Sequence, residues 1–260
     1  MADIPRGRFV WHELLTTDPA AARQFYPRVT GWTVQPFPTD VGMEYGVWMN
    51  GEKGVGGVAE LPREARDMGA PPNWLGYIST PDVDATVAEA RRRGATVFST
   101  HELPSVGRWA ILADPQRAVF AAMRPDGPDA GPLTPPGLGE FSWNELMADD
   151  HEAAFEFYSA LFGWERIATH DMGPMGTYII YGTEGVALGG MFRKPADMPA
   201  PPHWLYYIEV DSAEAAVGRI QDAGGQILNG PMEVPGGNHI AQCRDPQGAA
   251  FAVDAAAPTS

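Results

Sequence analysis

Four motifs occur twice in this chain of 260 residues, in the same order and at a nearly constant separation. The second copy follows the first by 130 to 132 residues in the pairs FVWHELLTTD and FSWNELMADD, FYPRVTGW and FYSALFGW, APPNWLGYI and APPHWLYYI, and the two DPQ tripeptides. Chance is a poor explanation for four matches in register, so the sequence indicates a tandem duplication. We expect the two copies to share one fold.

The segment between the copies is rich in proline and glycine. The stretch PDGPDAGPLTPPGLG, residues 125–139, lacks apolar periodicity and is typical of a semi-rigid linker. We therefore predict a first module over residues 1–126, a linker over 127–139 and a second module over 140–260.

Each copy alternates strand patterns with helix signals. Asp18 before Pro19 predicts a helix start, Pro27 predicts a kink or an early end of that helix, and a second helix is predicted from Asp82 to Gly94. Segments such as EYGVWMN, GVGGVAEL and RWAILA predict strands. The resulting order is βαβββ, twice per copy. We predict an α+β fold of two tandem modules, each pairing two βαβββ units into a curled mixed sheet, or cup, with its helices outside.

Composition and charge narrow the function. With 33 acidic and 18 basic residues, the formal net charge of −15 repels nucleic-acid phosphates and anionic lipid, so we expect neither as a partner. No run approaches the ~20 apolar residues that a membrane span needs, and a cytoplasmic protein is expected. The chain has one cysteine, Cys243, which is more typical of a small buried hydrophobe than of a nucleophile.

The succession of motifs resembles the vicinal-oxygen-chelate superfamily, which includes glyoxalase I, bleomycin-resistance proteins and extradiol dioxygenases. The resemblance lies in the first strand with its following Asp, the helix ending in FY, the GW pair, the strand before DVDA and the DPQ motif before the last strand. The W-x-E-L and PP-x-W motifs look most similar to two-module, actinobacterial glyoxalase-like proteins, often labelled hydroxylase. The resemblance implies the two-module cup and, for many members, a divalent metal ion inside it.

The ligand positions that this resemblance implies hold no metal-binding side chain here. Matched on the first, middle and last strands of the two copies, they are Trp11, Trp143, Leu75, Leu205, Ala121 and Ala252. We therefore predict no metal cofactor, with a divalent metal as the alternative if the ligands are displaced. The most plausible donors in that case are His12, Glu13, His203 and His239.

Strand alternation separates the first motif into two faces. Trp11 and Glu13 are expected to face the cup, while His12 faces the helices as a structural residue. Trp143 and Glu145 repeat the arrangement in the second copy, where Asn144 replaces the histidine. Glu13 and Glu145 are the best catalytic candidates, because a buried carboxylate is costly unless it is paired or used. The alternatives are that each glutamate only hydrogen-bonds a neighbouring hydroxyl or amide, or that it lies at the interface between the copies.

Further ligand-binding candidates come from the later strands of each copy. They are Tyr77, Arg108 and Trp109 in the first copy and Tyr207, His239 and Asp254 in the second. The residues of the second copy, with Glu209, make that copy the more polar one. Trp109 with Met123 makes the first copy more apolar.

Three functions remain open from the sequence. The leading hypothesis is a protein that binds a small hydrophobic or aromatic molecule, either by sequestration of the antibiotic-resistance kind or as a metal-independent catalyst in secondary metabolism. The second is a metal-dependent glyoxalase, lyase or dioxygenase with displaced ligands. The third is a protein-interaction module. A monomer or a homodimer is expected.

Overall fold

The computed structural model describes residues 4–38, 44–127 and 131–256. The elements of the first copy are β1 Phe9–Thr16, α1 Pro19–Thr30, β2 Thr33–Phe37, β3 Tyr45–Asn50, β4 Lys53–Glu60, α2 Arg63–Asp67, β5 Asn73–Ser79, α3 Val83–Arg92, β6 Thr96–Leu103, β7 Gly107–Ala113 and β8 Val119–Pro125. Those of the second copy are β9 Phe141–Ala148, α4 His151–Phe162, β10 Glu165–Asp171, a 3₁₀ turn Gly173–Met175, β11 Thr177–Thr183, β12 Val186–Arg193, β13 His203–Glu209, α5 Ala213–Asp222, β14 Gln226–Glu233, β15 His239–Arg244 and β16 Ala250–Ala255.

The strands form two eight-stranded mixed sheets, each from one copy. Their orders are β2-β3-β4-β1-β5-β8-β7-β6 and β10-β11-β12-β9-β13-β16-β15-β14. The pairs β1 with β4 and β5 with β8 are parallel, as a βαβββ unit requires, and the hairpins between them are antiparallel. The predicted α+β fold of four βαβββ units is confirmed. Among the described residues, no helix has the length and apolar character needed to cross a membrane.

The helices begin and end where local chemistry favours it. Asp18 caps α1 by accepting a hydrogen bond from the Ala21 backbone N–H at 2.9 Å, and Asp150 caps α4 in the same way. Each helix stops at a left-handed glycine, Gly31 or Gly163. The early end expected at Pro27 is wrong, because α1 continues to Thr30 and is as long as α4.

Two compact units divide the chain differently from the two sheets. Unit 1 comprises Met1–Val10, Leu75–Thr134 and Trp143–Trp204, and unit 2 comprises Trp11–Trp74, Pro135–Ser142 and Leu205–Ser260. Each unit therefore combines one βαβββ group from each copy. Each sheet takes all its strands from one side of the linker predicted over residues 127–139. Each compact unit, in contrast, contains segments of both copies.

Three of the four repeated motifs build the cores of these units. In unit 2, the Trp74 indole N–H donates to the Tyr26 hydroxyl at 2.9 Å, and Tyr26 donates to Asp245 at 3.1 Å. In unit 1, Trp204, Tyr158 and Asp114 repeat the chain of bonds at 3.2 and 3.1 Å. The FY, PP-x-W and DPQ motifs thus meet crosswise, because the tyrosine of one copy bonds the aspartate of the other. The repetition of these three motifs is explained by packing.

Candidate functional site

The fourth repeated motif supplies a cluster on the other side of the strands. We call the face of each four-stranded group that is turned away from its helix the open face. In unit 2, Leu14 and its cross-strand partner Val58 are fully buried toward the helix. Trp11 and Glu13, which alternate with Leu14 along β1, therefore lie on the open face, as the sequence predicts.

Tyr45 joins Trp11 and Glu13 into the first Trp–Tyr–Glu cluster. The Trp11 Nε1–H donates to the Tyr45 hydroxyl at 2.9 Å, and that hydroxyl is hydrogen-bonded to Glu13. Burial, reinforced by the Glu13 carboxylate, raises the pKa of Tyr45 above its usual value. Phe37 on β2 packs edge-on against Tyr45 with ring centroids 6.1 Å apart. The result is a patch of three aromatic rings and one carboxylate.

Unit 1 contains the same arrangement as the second Trp–Tyr–Glu cluster. Trp143 Nε1–H donates to the Tyr178 hydroxyl at 2.9 Å, and Tyr178 donates to Glu145 Oε1 at 2.8 Å. Burial and Glu145 raise the pKa of Tyr178. Here the third ring is Phe192, stacked on Tyr178 at 5.8 Å. Trp143 is half-buried, whereas Glu145 is only 6% exposed.

The direction of the hydrogen bonds in each cluster is fixed by chemistry. An indole N–H can only donate, so the tyrosine oxygen must accept from the tryptophan. The phenolic proton is then left for the glutamate, which must act as an acceptor. Each glutamate therefore accepts a hydrogen bond from a neutral tyrosine.

A glycine makes room for each tyrosine. Gly57 is the cross-strand partner of Glu13, and Gly190 that of Glu145. A Cβ atom at either glycine would lie 1.9 Å from the hydroxyl oxygen of Tyr45 or Tyr178, closer than atoms can approach. The two tyrosines thus cross directly over a bare strand backbone.

His12 lies on the opposite face of β1 from the first cluster. Its ring stacks on Phe141 with centroids 3.8 Å apart and meets Tyr206 edge-on at 4.9 Å, both in unit 2. Asn144, its counterpart, donates to the Leu188 carbonyl at 2.8 Å. These contacts fit the structural role expected for this position.

The remaining candidates of unit 1 do not all come together. Trp109 stacks on His101 at 5.4 Å and is the cross-strand partner of Met123 on the open face of β5–β8, where Tyr77 also lies. Arg108 points the other way, since neighbouring strand residues alternate, and forms ion pairs with Asp84 and Glu102. The expectation that Arg108 reaches the cup is therefore corrected.

The polar candidates of unit 2 are also divided between the open face and the helix side of their strands. Asp254 accepts hydrogen bonds from Ser142 at 3.1 Å and Asn238 at 2.9 Å, and it is the cross-strand partner of Glu209. Burial, with Asp254 nearby, raises the pKa of Glu209 to about 7. Tyr207 lies on the same open face.

His239 does not join this group. It alternates to the helix side, where it pairs with Glu214 of α5 at 2.7 Å, so its expected place in the cup is also corrected. Tyr207 instead accepts a hydrogen bond from Gln242 at 3.2 Å. The open face of β13–β16 is thus more polar than that of β5–β8.

The donor set does not fit the metal that the superfamily resemblance implies. Within the described part of the chain, no three His, Cys, Asp or Glu side chains come together as a metal site requires. His203 Nδ1–H donates to the Pro201 carbonyl at 2.8 Å, and burial lowers the pKa of His203. Burial raises the pKa of the Cys243 thiol to about 12.

Sequence reasoning missed Tyr45 and Tyr178, which complete the two clusters. Tyr45 and Tyr178 lie 133 residues apart in the sequence, and the glycines beneath them, Gly57 and Gly190, have the same separation. The repeated GG pair in GVGGV and ALGGM was therefore an available signal. It marks strand positions where another side chain crosses the backbone closely.

Two family models match the chain, one in each copy. A model described as Glyoxalase-like domain matches residues 10–123, and one described as Glyoxalase/Bleomycin resistance protein/Dioxygenase superfamily matches residues 140–253. Together they span both predicted modules apart from the linker and the chain ends.

Relatives of similar length match this chain almost from end to end. CFP32 of Mycobacterium tuberculosis, a protein that carries the name glyoxylase, is 32% identical over 99% of this chain and 98% of its own length. The anthracycline biosynthesis protein DnrV of Streptomyces peucetius is 29% identical over 97% of this chain and 94% of its own.

Solved structures show the same fold at low identity. The Mn(II)-bound glyoxalase from Novosphingobium aromaticivorans has a TM-score of 0.61 and 16% identity, with 98% of this chain and 83% of that chain covered. The 2,3-dioxygenase LapB from Pseudomonas sp. KL28 has a TM-score of 0.64 and 13% identity, with 99% and 94% covered. The resemblance seen in the sequence is confirmed: the chain belongs to the Glyoxalase/Bleomycin resistance protein/Dioxygenase superfamily.

Proposed function

We propose that this protein binds a flat, mainly apolar small molecule without a metal ion, on the open faces that carry the two Trp–Tyr–Glu clusters. The observation that carries the proposal is that Trp11 and Trp143 occupy the first-strand position where the superfamily resemblance implies a metal ligand. Each indole nitrogen already donates to a tyrosine, so these positions offer a ring surface and no lone pair.

The surroundings of each tryptophan support an aromatic ligand. Flat rings gain free energy by stacking on aromatic side chains, and each cluster presents three rings beside one another. Aromatic lining with few polar groups is typical of sites for small apolar molecules. The relatives named as anthracycline biosynthesis proteins favour a polycyclic aromatic ligand of secondary metabolism.

Equilibrium dialysis against 1,4-dihydroxyanthraquinone, in the presence of EDTA, tests this function. The quinone is flat and coloured, so its bound fraction is measured directly. We expect binding that EDTA does not reduce and that the double variant W11A/W143A weakens about two- to tenfold, the usual size of a lost stacking contact. F98A removes an exposed ring on an edge strand and serves as the matched control. Binding that appears only after metal loading would contradict the proposal.

Catalysis without a metal is a second candidate, favoured by Glu209. A general acid or base works best when its pKa lies near the working pH, and Glu209 has a pKa of about 7. It lies next to Asp254 on the open face of unit 2, where proton abstraction beside a carbonyl group is the simplest reaction it could assist. Deuterium exchange into a diketone, followed by NMR, would be accelerated by the protein and lose that acceleration in E209Q. Equal acceleration by both proteins would exclude Glu209 as the base.

A further inference from the structure

Two ion pairs join the first copy to the second, one in each compact unit. In unit 1, the Arg8 guanidinium donates to the two carboxylate oxygens of Glu184 at 2.9 and 2.7 Å. In unit 2, the Lys53 ammonium group lies 2.6 Å from the Glu140 carboxylate. The first copy supplies both cations of these pairs, and the second copy supplies both anions.

The two ion pairs occupy equivalent places in the two units. Arg8 and Glu140 each precede the first strand of their copy and lie 132 residues apart. The Ser79 N–H donates to the Arg8 carbonyl, and the Glu209 N–H donates to the Glu140 carbonyl, both at 2.8 Å. In each case the ionic partner lies at the turn between the third and fourth strands of the opposite copy. One contact therefore occurs twice, with its charges reversed.

The charges distinguish this crosswise pairing from self-pairing, in which the two βαβββ groups of one copy would form a unit together. If the second copy paired with itself, Glu140 would meet Glu184, the one charged residue of the β11–β12 turn, and like charges repel. If the first copy paired with itself, Arg8 would meet Lys53 beside Glu52, so that repulsion and attraction would offset each other. Only crosswise pairing makes both contacts attractive.

The aromatic cores do not discriminate between the two arrangements. Their Trp–Tyr–Asp chains of hydrogen bonds use the same residue types in both units. Selection of one partner over another is a difference between two free energies, so side chains that differ between the copies must supply it. The Arg8 side chain is only 9% exposed, and water screens its charge less than it screens a charge at the surface.

We propose that these two ion pairs form an interaction surface through which each copy pairs with the copy of opposite charge and not with one of its own kind. The partner that fits the cationic surface of the first copy is thus the anionic surface of the second. No ligand takes part in this selection, so it is independent of the proposed function.

Exchange of the charges within one ion pair tests the inference in the full chain. In K53E/E140K, both crosswise ion pairs persist, but each copy then carries one cation and one anion and can also pair with itself. The variant is unfolded in urea, refolded and treated with a carbodiimide, which joins an amine to a carboxylate in contact with it. Mass spectrometry identifies the joined peptides.

We expect the amine introduced by E140K to be joined both to the carboxylate introduced by K53E and to Glu184, in amounts within about tenfold of each other. Between these positions, the wild type should give only the link from Lys53 to Glu140. R63D/D67R exchanges the charges of an ion pair inside the first copy and is the matched control, so it should also give the wild-type link alone.

R8E/E184R makes the corresponding exchange in unit 1 and covers the case in which K53E/E140K does not fold. There, Lys53 should be joined to the carboxylate introduced by R8E as well as to Glu140. If the variant that folds gives the crosswise link alone, the ion pairs do not select the partner and the proposal is overturned. Self-pairing links in R63D/D67R would overturn it equally, because that exchange leaves both crosswise ion pairs unaltered.

Discussion

The hydroxyl of Tyr178 connects the side chains of Trp143 and Glu145. It accepts from the Trp143 N–H and donates to the Glu145 carboxylate, at 2.9 and 2.8 Å. Loss of this single oxygen removes both hydrogen bonds.

Y178F should therefore destabilise the protein by about 1–3 kcal/mol, the usual contribution of two hydrogen bonds within a mostly buried group. Urea unfolding of Y178F and the wild type measures the change in the free energy of unfolding. Y45F removes the corresponding oxygen from the first cluster and should cost a similar amount. A neutral effect of both variants would show that the clusters are not hydrogen-bonded as described.

Glu209 predicts a pH dependence of stability. Its pKa is about 7 in the folded protein, above the ordinary value of about 4.3, so the folded state holds its proton more tightly between these values. Stability must then fall as the pH rises through this window and stay lower above it. E209Q removes this contribution, so the stability lost between pH 5 and pH 8 should be smaller in E209Q than in the wild type.

Urea unfolding at both pH values provides the measurement for Glu209. E156Q is the control, because it makes the same change at an exposed glutamate of α4. An identical pH profile in E209Q and the wild type would mean that Glu209 titrates normally.

Alternation along β1 made the sequence informative about single residues. It placed Trp11 and Glu13 on one face and His12 on the other, because one face of that strand carries the apolar core. The same rule shows that Arg108 and Trp109 cannot share a face. Tyr45 was not predictable as a partner of Glu13, since the cross-strand register between β1, β3 and β4 is set by packing rather than by local sequence.

At the scale of elements, β4 and β12 each need a glycine where a tyrosine side chain crosses the strand backbone. A Cβ at Gly190 would lie 1.9 Å from the hydroxyl oxygen of Tyr178 and 2.0 Å from its ring carbon Cζ. The tyrosine ring would have to move away from the strand, and its bonds to Trp143 and Glu145 would break.

G190A should therefore lower stability by about 1–3 kcal/mol and weaken quinone binding at the second cluster. G218A is the matched control, because Gly218 lies on the exposed side of α5 with no atom within 4 Å of a new Cβ. G218A should stabilise the protein by about 0.5–1 kcal/mol, the gain from replacing glycine inside a helix. Thermal unfolding of the two variants compares them, and a stabilised G190A would contradict the described crossing.

Most elements were predictable because their signals are local. The N-cap aspartates, the C-terminal glycines and the β-branched segments determined the βαβββ order directly. The short helix α2 had no such signal, since its N-cap position, Pro62, supplies no side-chain hydrogen bond. The strand GVGGVAEL was predicted. The need for its glycine Gly57 was not, because it depends on Tyr45 of β3, which lies elsewhere in the sequence.

At the scale of the whole molecule, each compact unit depends on both copies. Tyr26 and Asp245 bond within unit 2, and Tyr158 and Asp114 bond within unit 1. The repeat itself was evident from the sequence, but the crosswise assembly was not, because identical motifs pair equally well within a copy and between copies. The predicted monomer or homodimer stays a prediction.

Separation of the chain at residue 133 should therefore abolish folding of either half as a monomer. Each half would lack the carboxylate partner of its own tyrosine motif, and its buried surface would be exposed. Co-expressed halves should instead copurify as a folded complex, which near-ultraviolet circular dichroism and size-exclusion chromatography would detect. A half that folds alone as a monomer with native-like circular dichroism would contradict this organisation.

We propose that this chain, which has its superfamily's fold, binds a ligand on its open faces without a metal ion. The metal content of the protein is the measurement to make first, by inductively coupled plasma mass spectrometry on untagged protein purified without chelators and dialysed separately against zinc, nickel, manganese and iron. We expect clearly less than one metal ion per chain in every case, because Trp11 and Trp143 offer no lone pair. One tightly held ion per chain or per copy would contradict it and direct attention to a metal-dependent reaction.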